Sequence, residues 1–102
     1  MDMKKMMKQA QRMQLELAKA QEEIKDLEFE ATAGGGMVKV VATGDMAVKS
    51  IAIDPEAVDP EDVEMLEDTV LAAVNEALRG VSDMSSQRLN AATGGMNIPG
   101  LM

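Results

Sequence analysis

The 102-residue sequence has no cysteine, histidine, tryptophan or tyrosine, and Phe29 is its one aromatic residue. The absence of cysteine excludes disulfides and thiolate chemistry. The absence of histidine excludes the commonest zinc sites and the Ser-His-Asp triad. Base stacking, on which dedicated single-strand binders depend, has almost no aromatic platform here. We therefore predict a protein that is not an enzyme and takes no metal, no cofactor and no small-molecule substrate.

Long apolar runs are missing as well. The sequence predicts no transmembrane helix, because it contains no run of about 18 apolar residues. The apolar residues near the N-terminus are interleaved with lysine and glutamine, unlike the continuous apolar core of a signal peptide. These features predict a cytoplasmic protein with no membrane partner.

The core must be built from aliphatic side chains and methionine. Hydrophobic residues make up 46% of the chain, which contains 11 methionines, and methionine suits adaptable apolar surfaces. A chain this short commonly gains stability by forming oligomers. We predict one α+β domain over residues 1–93 and a flexible tail over residues 94–102, where glycine, methionine and proline are frequent.

Residues 3–27 carry a heptad pattern that predicts a long, coiled-coil-like helix. The a positions are Met3, Ala10, Leu17 and Ile24, and the d positions are Met6, Met13, Ala20 and Leu27. The helix would be about 37 Å long, too long for a small domain to cover. Its apolar seam, formed by these eight residues, therefore requires a partner helix from the same chain or from another subunit.

Three short strands are predicted between residues 27 and 54. The first alternates apolar and polar residues from Leu27 to Ala33, and Gly34–Gly36 then permit a turn. The segments "MVKVVAT" and "MAVKSIAID" follow, separated by a turn at Gly44-Asp45. The adjacent residues Val40 and Val41 predict a strand covered on both faces, with a second sheet as one option for the face away from the helices.

A second helix is predicted from Pro60 to at least Val81 and onward to Ala92. Asp59 is expected as the N-cap, with Pro60 in the first helical position and Asp62 three residues after the cap. Gly80 is expected to be a weak point within this helix.

Positive charge is concentrated in the first helix, although the chain has 10 basic and 18 acidic residues and a formal net charge of −8. All cations of this helix fall on the face opposite the seam: Lys4, Lys5, Lys8, Arg12, Lys19 and Lys25. The spacing of Lys4, Lys8 and Arg12 at intervals of four residues, and the position of these cations near the helix N-terminus, both oppose helix stability, which favours a binding role. An extended polyanion such as duplex DNA matches an extended row of cations. A solvated helix face, RNA and anionic lipid are the alternatives.

The acidic residues lie elsewhere. Between Ile51 and Ala77 there are nine Asp and Glu and no Lys or Arg. Their spacing does not match a calcium-binding loop, and helix caps and helix-dipole charges explain most of them. The segment "GGGMVKV" lacks the spacing of a phosphate-binding loop and precedes a strand, so it is predicted to be a turn.

The run "GGGMVKVVATGDMAVKSIAIDPEAVDPEDVEMLEDTVLAAVNEAL", together with the first helix rich in methionine and lysine, resembles the YbaB/EbfC family of bacterial nucleoid-associated proteins. The similarity extends over essentially the whole chain. It implies an α+β fold with a long N-terminal helix, a three-stranded antiparallel sheet and a long C-terminal helix. It also implies a tweezer-like homodimer, joined through the sheets, whose helices project as arms.

The resemblance further implies DNA binding in the cytoplasm, at the nucleoid, with little or variable sequence preference. The family's binding is attributed to its helical arms, which correspond here to the helix carrying Lys4, Lys5, Lys8, Arg12 and Lys19. Arg79 and Arg88 in the second helix are weaker candidates. Relatives often carry more basic residues in the last helix, so binding here is expected to depend more heavily on the first.

A different function is also compatible with the sequence. A dimeric adaptor would use the methionine-rich helices to bind another protein, without direct contact to nucleic acid. The apolar tail residues Met96, Ile98, Leu101 and Met102 would suit a docking segment.

Overall fold

The computed structural model describes residues 2–94. Its elements are α1 (Met3–Lys25), β1 (Glu28–Ala33), β2 (Val38–Thr43), β3 (Val48–Ile53), a 3-10 turn (Pro55–Ala57) and α2 (Val63–Ala92). The predicted order of helix, three antiparallel strands and helix is confirmed. The predicted tail, residues 94–102, lies outside the described residues except for Gly94 and stays a prediction.

The three strands form one antiparallel sheet in the order β1-β2-β3. Ala31 pairs with Val40, and Val40 pairs with Ile51, so these residues share one face of the sheet. A bulge between Val41 and Ala42 shifts the register toward β3. The glycine turn between β1 and β2 has positive φ at Gly34, Gly35 and Gly36, as a left-handed connection requires.

The core lies between this face of the sheet and α2. The sheet contributes Ala31, Val38, Val40 and Ala42, and α2 contributes Ala73, Ala77 and Val81. Most of these side chains are small, so the helix backbone lies close to the strands, and Val38, Val40 and Val81 are the largest fully buried side chains. The opposite face of the sheet is polar and exposed at Glu30 and Lys39. Within residues 2–94, a second sheet does not cover it.

Gly80 is a packing requirement rather than the predicted weak point. It is buried in α2, and a Cβ atom added there would clash with the ring of Phe29. The absence of a side chain lets the ring of Phe29 lie directly against α2 at this position. Phe29 thereby packs against the buried core.

α2 runs back along α1 and covers the second half of the apolar seam. Ala20 is fully buried, and Met13, Leu17 and Ile24 are partly buried. A hydrogen bond of 2.6 Å from Arg88 Nε to Glu23 Oε2 joins the two helices. The partner helix for this half of the seam is therefore the second helix of the same chain.

α1 ends at Lys25, two residues before the predicted end at Leu27. The N–H of Leu27 donates to the Ile24 carbonyl at 3.1 Å, but the carbonyl of Leu27 accepts a hydrogen bond of 2.9 Å from the Gly44 N–H in the β2–β3 turn. A Cβ on Gly44 would clash with the carbonyl of Ile24, so only glycine permits this close approach.

The prediction that Asp59 caps α2 is wrong. The side chain of Asp62 accepts a hydrogen bond from the Met65 N–H at 3.2 Å, and α2 begins at Val63. Asp59 instead accepts a hydrogen bond from the Glu61 N–H at 2.9 Å within a separate turn. The Asp62 N–H also donates to the Asp59 carbonyl at 3.0 Å, so the proline-containing turn closes before the helix starts.

Neither helix within residues 2–94 is apolar enough over 18 residues to cross a bilayer.

Replacement of Gly80 by alanine tests the contact with Phe29. We expect Gly80→Ala to lower the free energy of unfolding by about 1–3 kcal/mol, because the added methyl group overpacks the interface. Urea denaturation followed by circular dichroism measures this change. Asn75→Ala, at an exposed position of the same helix, serves as the control and should be nearly neutral. A neutral Gly80→Ala would contradict the close packing.

Candidate nucleic-acid interface

The first turns of α1 extend beyond α2 and are exposed on every side. Asp2 caps the helix by accepting a hydrogen bond from the Lys4 N–H at 3.1 Å. The side chains that follow are open to solvent as far as Arg12, including Met3 at 75% exposure and Met6 at 53%. The first half of the predicted seam is therefore uncovered within residues 2–94. The molecule is correspondingly elongated, with extents of 72 × 23 × 16 Å.

Five predicted DNA-binding cations lie on α1 and are all exposed: Lys4, Lys5, Lys8, Arg12 and Lys19. We refer to these five residues as the basic ridge. Among the residues that the structure describes, no carboxylate forms an ion pair with any member of the ridge. Lys19 is exposed although its neighbour Ala20 is fully buried, so at this point of α1 the ridge and the covered seam lie on different faces.

Arg79 is engaged by acidic neighbours on α2. Its guanidinium group forms an ion pair with Glu76, and its Nη1 lies 3.2 Å from Asp83 Oδ2. The hydrogen bond from Arg79 lowers the pKa of Glu76, and the same contact raises the pKa of Arg79. The guanidinium group is exposed, but its charge is already balanced locally.

Arg88 is engaged by α1. Its contact with Glu23 holds the pKa of that carboxyl group below its ordinary value of 4.5, chiefly through the hydrogen bond. The side chain of Arg88 is only 26% exposed. The structure therefore separates the two predicted α2 cations from the ridge by their ion pairs. The partners of Arg79 stand at helical spacing in the sequence, whereas the pairing of Arg88 with Glu23 on α1 is not evident from the sequence.

Eight of the 18 acidic residues lie between Asp54 and Asp68, around the start of α2. Asp54, Asp59 and Asp62 each accept a hydrogen bond from a backbone N–H two or three residues later. Asp54 and Asp62 are helix caps, whereas Asp59 closes the turn before α2. Within residues 2–94, no cluster of three or more acids is arranged to hold a metal ion. These eight acids and the ridge therefore lie on different elements, although Glu16 stands on α1 between Arg12 and Lys19.

An exposed apolar surface lies beside β3, and the sequence analysis did not identify it. An open groove of about 440 Å³ is lined by Ile53, Leu66, Glu67, Val70, Leu71 and Val74. Ile51 is 47% exposed and Leu71 is 59% exposed. We refer to Ile51, Ile53 and Leu71 as the β3 patch. The available signal was Leu71, an apolar residue of α2 that is not on the face formed by Ala73, Ala77 and Val81.

The chain matches the profile of the YbaB/EbfC DNA-binding family over residues 1–96. A nucleoid-associated protein of Pelotomaculum thermopropionicum is 57% identical over 98% of this chain and 95% of its own length. A nucleoid-associated protein of Thermoanaerobacter pseudethanolicus is 55% identical over 94% of this chain and 86% of its own length.

The fold also matches a solved structure. The crystal structure of the uncharacterized protein HP0035 from Helicobacter pylori superposes with a TM-score of 0.69 and 26% sequence identity. The match covers 95% of this chain and 99% of that one.

The ion pair between Glu23 and Arg88 predicts a dependence on pH. A lowered pKa means that folding favours the ionised carboxylate, so its contribution is complete above about 4.5 and is lost as the pH falls through the lowered value. Glu23→Gln should therefore lower the free energy of unfolding at about pH 7 and have little effect at about pH 3. Urea denaturation at both values measures this. An effect of equal size at both would contradict the role of the charge.

Proposed function

Because this chain belongs to the YbaB/EbfC DNA-binding family, we propose that it is a nucleoid-associated protein that binds duplex DNA through the basic ridge. The observation that carries the proposal is the exposure of five unpaired cations along one face of a helix that extends from the rest of the fold. The relatives from Pelotomaculum and Thermoanaerobacter carry the same designation. The site of action is accordingly the nucleoid, in the cytoplasm.

Electrostatics supplies the mechanism. Duplex DNA carries about one negative charge per 1.7 Å of its axis, and each phosphate contact releases condensed counterions. Lysine and arginine on the ridge contact phosphates, which gives affinity with little dependence on sequence. The acidic end of the fold is repelled by the same field, so DNA approaches the ridge despite the net charge of −8.

Arg79 and Arg88 are secondary members of the proposed interface. Each must exchange a carboxylate partner for a phosphate before it contributes, and this exchange costs part of the gain. Their share of the affinity is therefore smaller than that of the unpaired ridge. The candidate cations are therefore ranked by the ion pair that each side chain must break when it binds phosphate.

We propose that two copies form a homodimer through the edge of β3 and the β3 patch. β3 is an edge strand whose six residues are all exposed, and edge strands of this kind are usually covered or paired. A second copy that covers Ile51, Ile53 and Leu71 would bury apolar surface on both subunits. The dimer would present two α1 helices, and so two ridges, as the arms of a tweezer.

The protein acts in this proposal by binding rather than by catalysis, which suits a role in nucleoid organisation or gene regulation.

A second candidate is the protein-interaction adaptor. It is favoured by the exposed methionines at the start of α1, Met3, Met6 and Met7. The tail residues predicted for docking, 96–102, lie outside the described residues. A pull-down from nuclease-treated lysate separates the two functions, because partners of an adaptor are retained and partners bridged by DNA are lost.

Charge reversal on the ridge tests the DNA-binding proposal. The triple variant Lys5→Glu/Lys8→Glu/Arg12→Glu should lose at least about 100-fold in affinity for duplex DNA, because three phosphate contacts become repulsions. Fluorescence anisotropy measures the binding, and circular dichroism should show an unchanged helix content.

Matched single variants make this test specific. Lys8→Glu should weaken binding several-fold, whereas Lys39→Glu, an equal change in charge on the exposed face of the sheet, should have a smaller effect. Equal effects at the two positions would mean that net charge, and not the ridge, determines binding.

The proposed dimer interface is tested by Leu71→Asp combined with Ile53→Asp. The two buried carboxylates should convert the dimer to a folded monomer, because burial of an unpaired charge is strongly unfavourable. Sedimentation equilibrium measures the mass. Met65→Asp, at a position that is 65% exposed elsewhere on α2, is the control and should remain dimeric. A dimer that survives the double substitution would place the interface on another surface.

A further inference from the structure

The free part of α1 has the dimensions of a helix that enters the major groove. From Asp2 to Arg12, all residues are exposed, so nothing within residues 2–94 lies alongside these turns. A helix with its side chains is about 10–12 Å wide, and the major groove of B-form DNA is about 12 Å wide. Beyond Met13, α2 lies against the seam, on the side of α1 away from the ridge. The ridge side therefore stays accessible along the helix.

An uncharged stripe runs along the ridge. Met7, Gln11 and Leu15 follow one another at intervals of four residues, which places them on one side of the helix. Met7 is 60% exposed and Leu15 is 71% exposed. They are the two large apolar residues of α1 that do not belong to the seam. We refer to Met7, Gln11 and Leu15 as the uncharged stripe.

The stripe is flanked by cations. Lys8 and Arg12 each follow a stripe residue directly, and Arg12 and Lys19 lie one turn before and after Leu15. Exposed single apolar residues are ordinary on protein surfaces. Here, however, Met7 and Leu15 lie on the same side of the helix as Gln11. They are next to the basic ridge, which is proposed to contact phosphates. Leu15 is largely exposed, so it buries almost no apolar surface in the folded chain. Any gain from burying this side chain would therefore come from contact with a bound partner.

We propose that the first half of α1 docks in the major groove of duplex DNA, with the uncharged stripe toward the base edges and the basic ridge on the phosphates. The inference depends on the proposed DNA-binding function and extends it from phosphate contact to base contact. In the major groove, thymine presents a methyl group that apolar side chains contact, and adenine presents a donor and an acceptor to a glutamine amide. Leu15 and Met7 would contact thymine methyl groups and Gln11 would contact adenine, which gives a preference for A·T pairs.

The experiment removes the methyl group from the DNA and the apolar side chain from the protein in turn. Full-length protein is titrated with an A·T-rich duplex and with the same duplex containing deoxyuridine in place of thymine. Burial of one methyl group corresponds to about a fourfold change in affinity, so the thymine duplex should bind at least about fourfold more tightly. For Met7→Ala/Leu15→Ala the ratio should fall to about one, with an unchanged salt dependence because the ridge is intact.

Three outcomes would overturn the inference. Equal binding of the two duplexes by the native protein would exclude contact with the methyl groups. If Met7→Ala/Leu15→Ala lost the same affinity for both duplexes, the stripe would contact the sugar-phosphate backbone and not the thymine methyl groups. A changed sedimentation mass in the variant would show that a second copy covers the stripe. Met65→Ala, which removes an exposed side chain from α2, should leave the ratio unchanged.

The failure of this inference is distinguishable from the failure of the proposed function. If salt-dependent binding persists while the ratio for the native protein is one, phosphate contact stands and base contact does not. If neither duplex binds, the DNA-binding function itself is wrong.

Discussion

The close packing of α2 on the sheet determines where every other surface lies. Alanine residues of α2 and the backbone of Gly80 let the helix approach the strands and the ring of Phe29. α2 then continues past the sheet and covers α1 only from about Met13 onward. A bulkier side chain at Gly80 would move α2 away from Phe29. The same displacement of α2 would disturb the contact between Arg88 and Glu23. The exposure of the basic ridge is thus a consequence of how the two helices are held together.

The distribution of charge follows from the same geometry. The five ridge cations of α1 point away from the seam and form no ion pair within residues 2–94, whereas Lys25 pairs with Glu22 at the end of α1 and Arg79 and Arg88 of α2 are paired as well. A net charge of −8 would suggest repulsion from nucleic acid if it were spread evenly. Because the charges are separated, the field near the ridge is positive and the field near the start of α2 is negative. In the proposed function, the ridge faces the polyanion and the acidic start of α2 is directed away from it.

Sequence periodicity was sufficient for the element order and for the position of the ridge, because both follow from helical and strand repeats. It failed where the outcome depended on tertiary contacts. Asp59 and Asp62 are equally good caps in isolation, and the proline-containing turn decides between them. Gly80 reads as a helix weakness until Phe29 is seen against it. The ion pair between Arg88 and Glu23, and the exposure of Leu71, depend on the path of α2, which no local pattern specifies. The ion pairs of Arg79, by contrast, follow from the local spacing of Glu76, Arg79 and Asp83 and could have been predicted from the sequence.

The salt dependence of binding to duplex DNA tests the central claim most directly. If about eight phosphates are neutralised by the two ridges of a dimer, the slope of log affinity against log salt should be about −7. The same titration on duplex RNA and on single strands shows whether the slope is specific to duplex DNA. Sedimentation gives the number of subunits in the protein that binds. A steep slope on duplex DNA is the result that the account requires. A flat response would contradict it, because an interface of lysine and arginine with phosphate cannot be insensitive to salt.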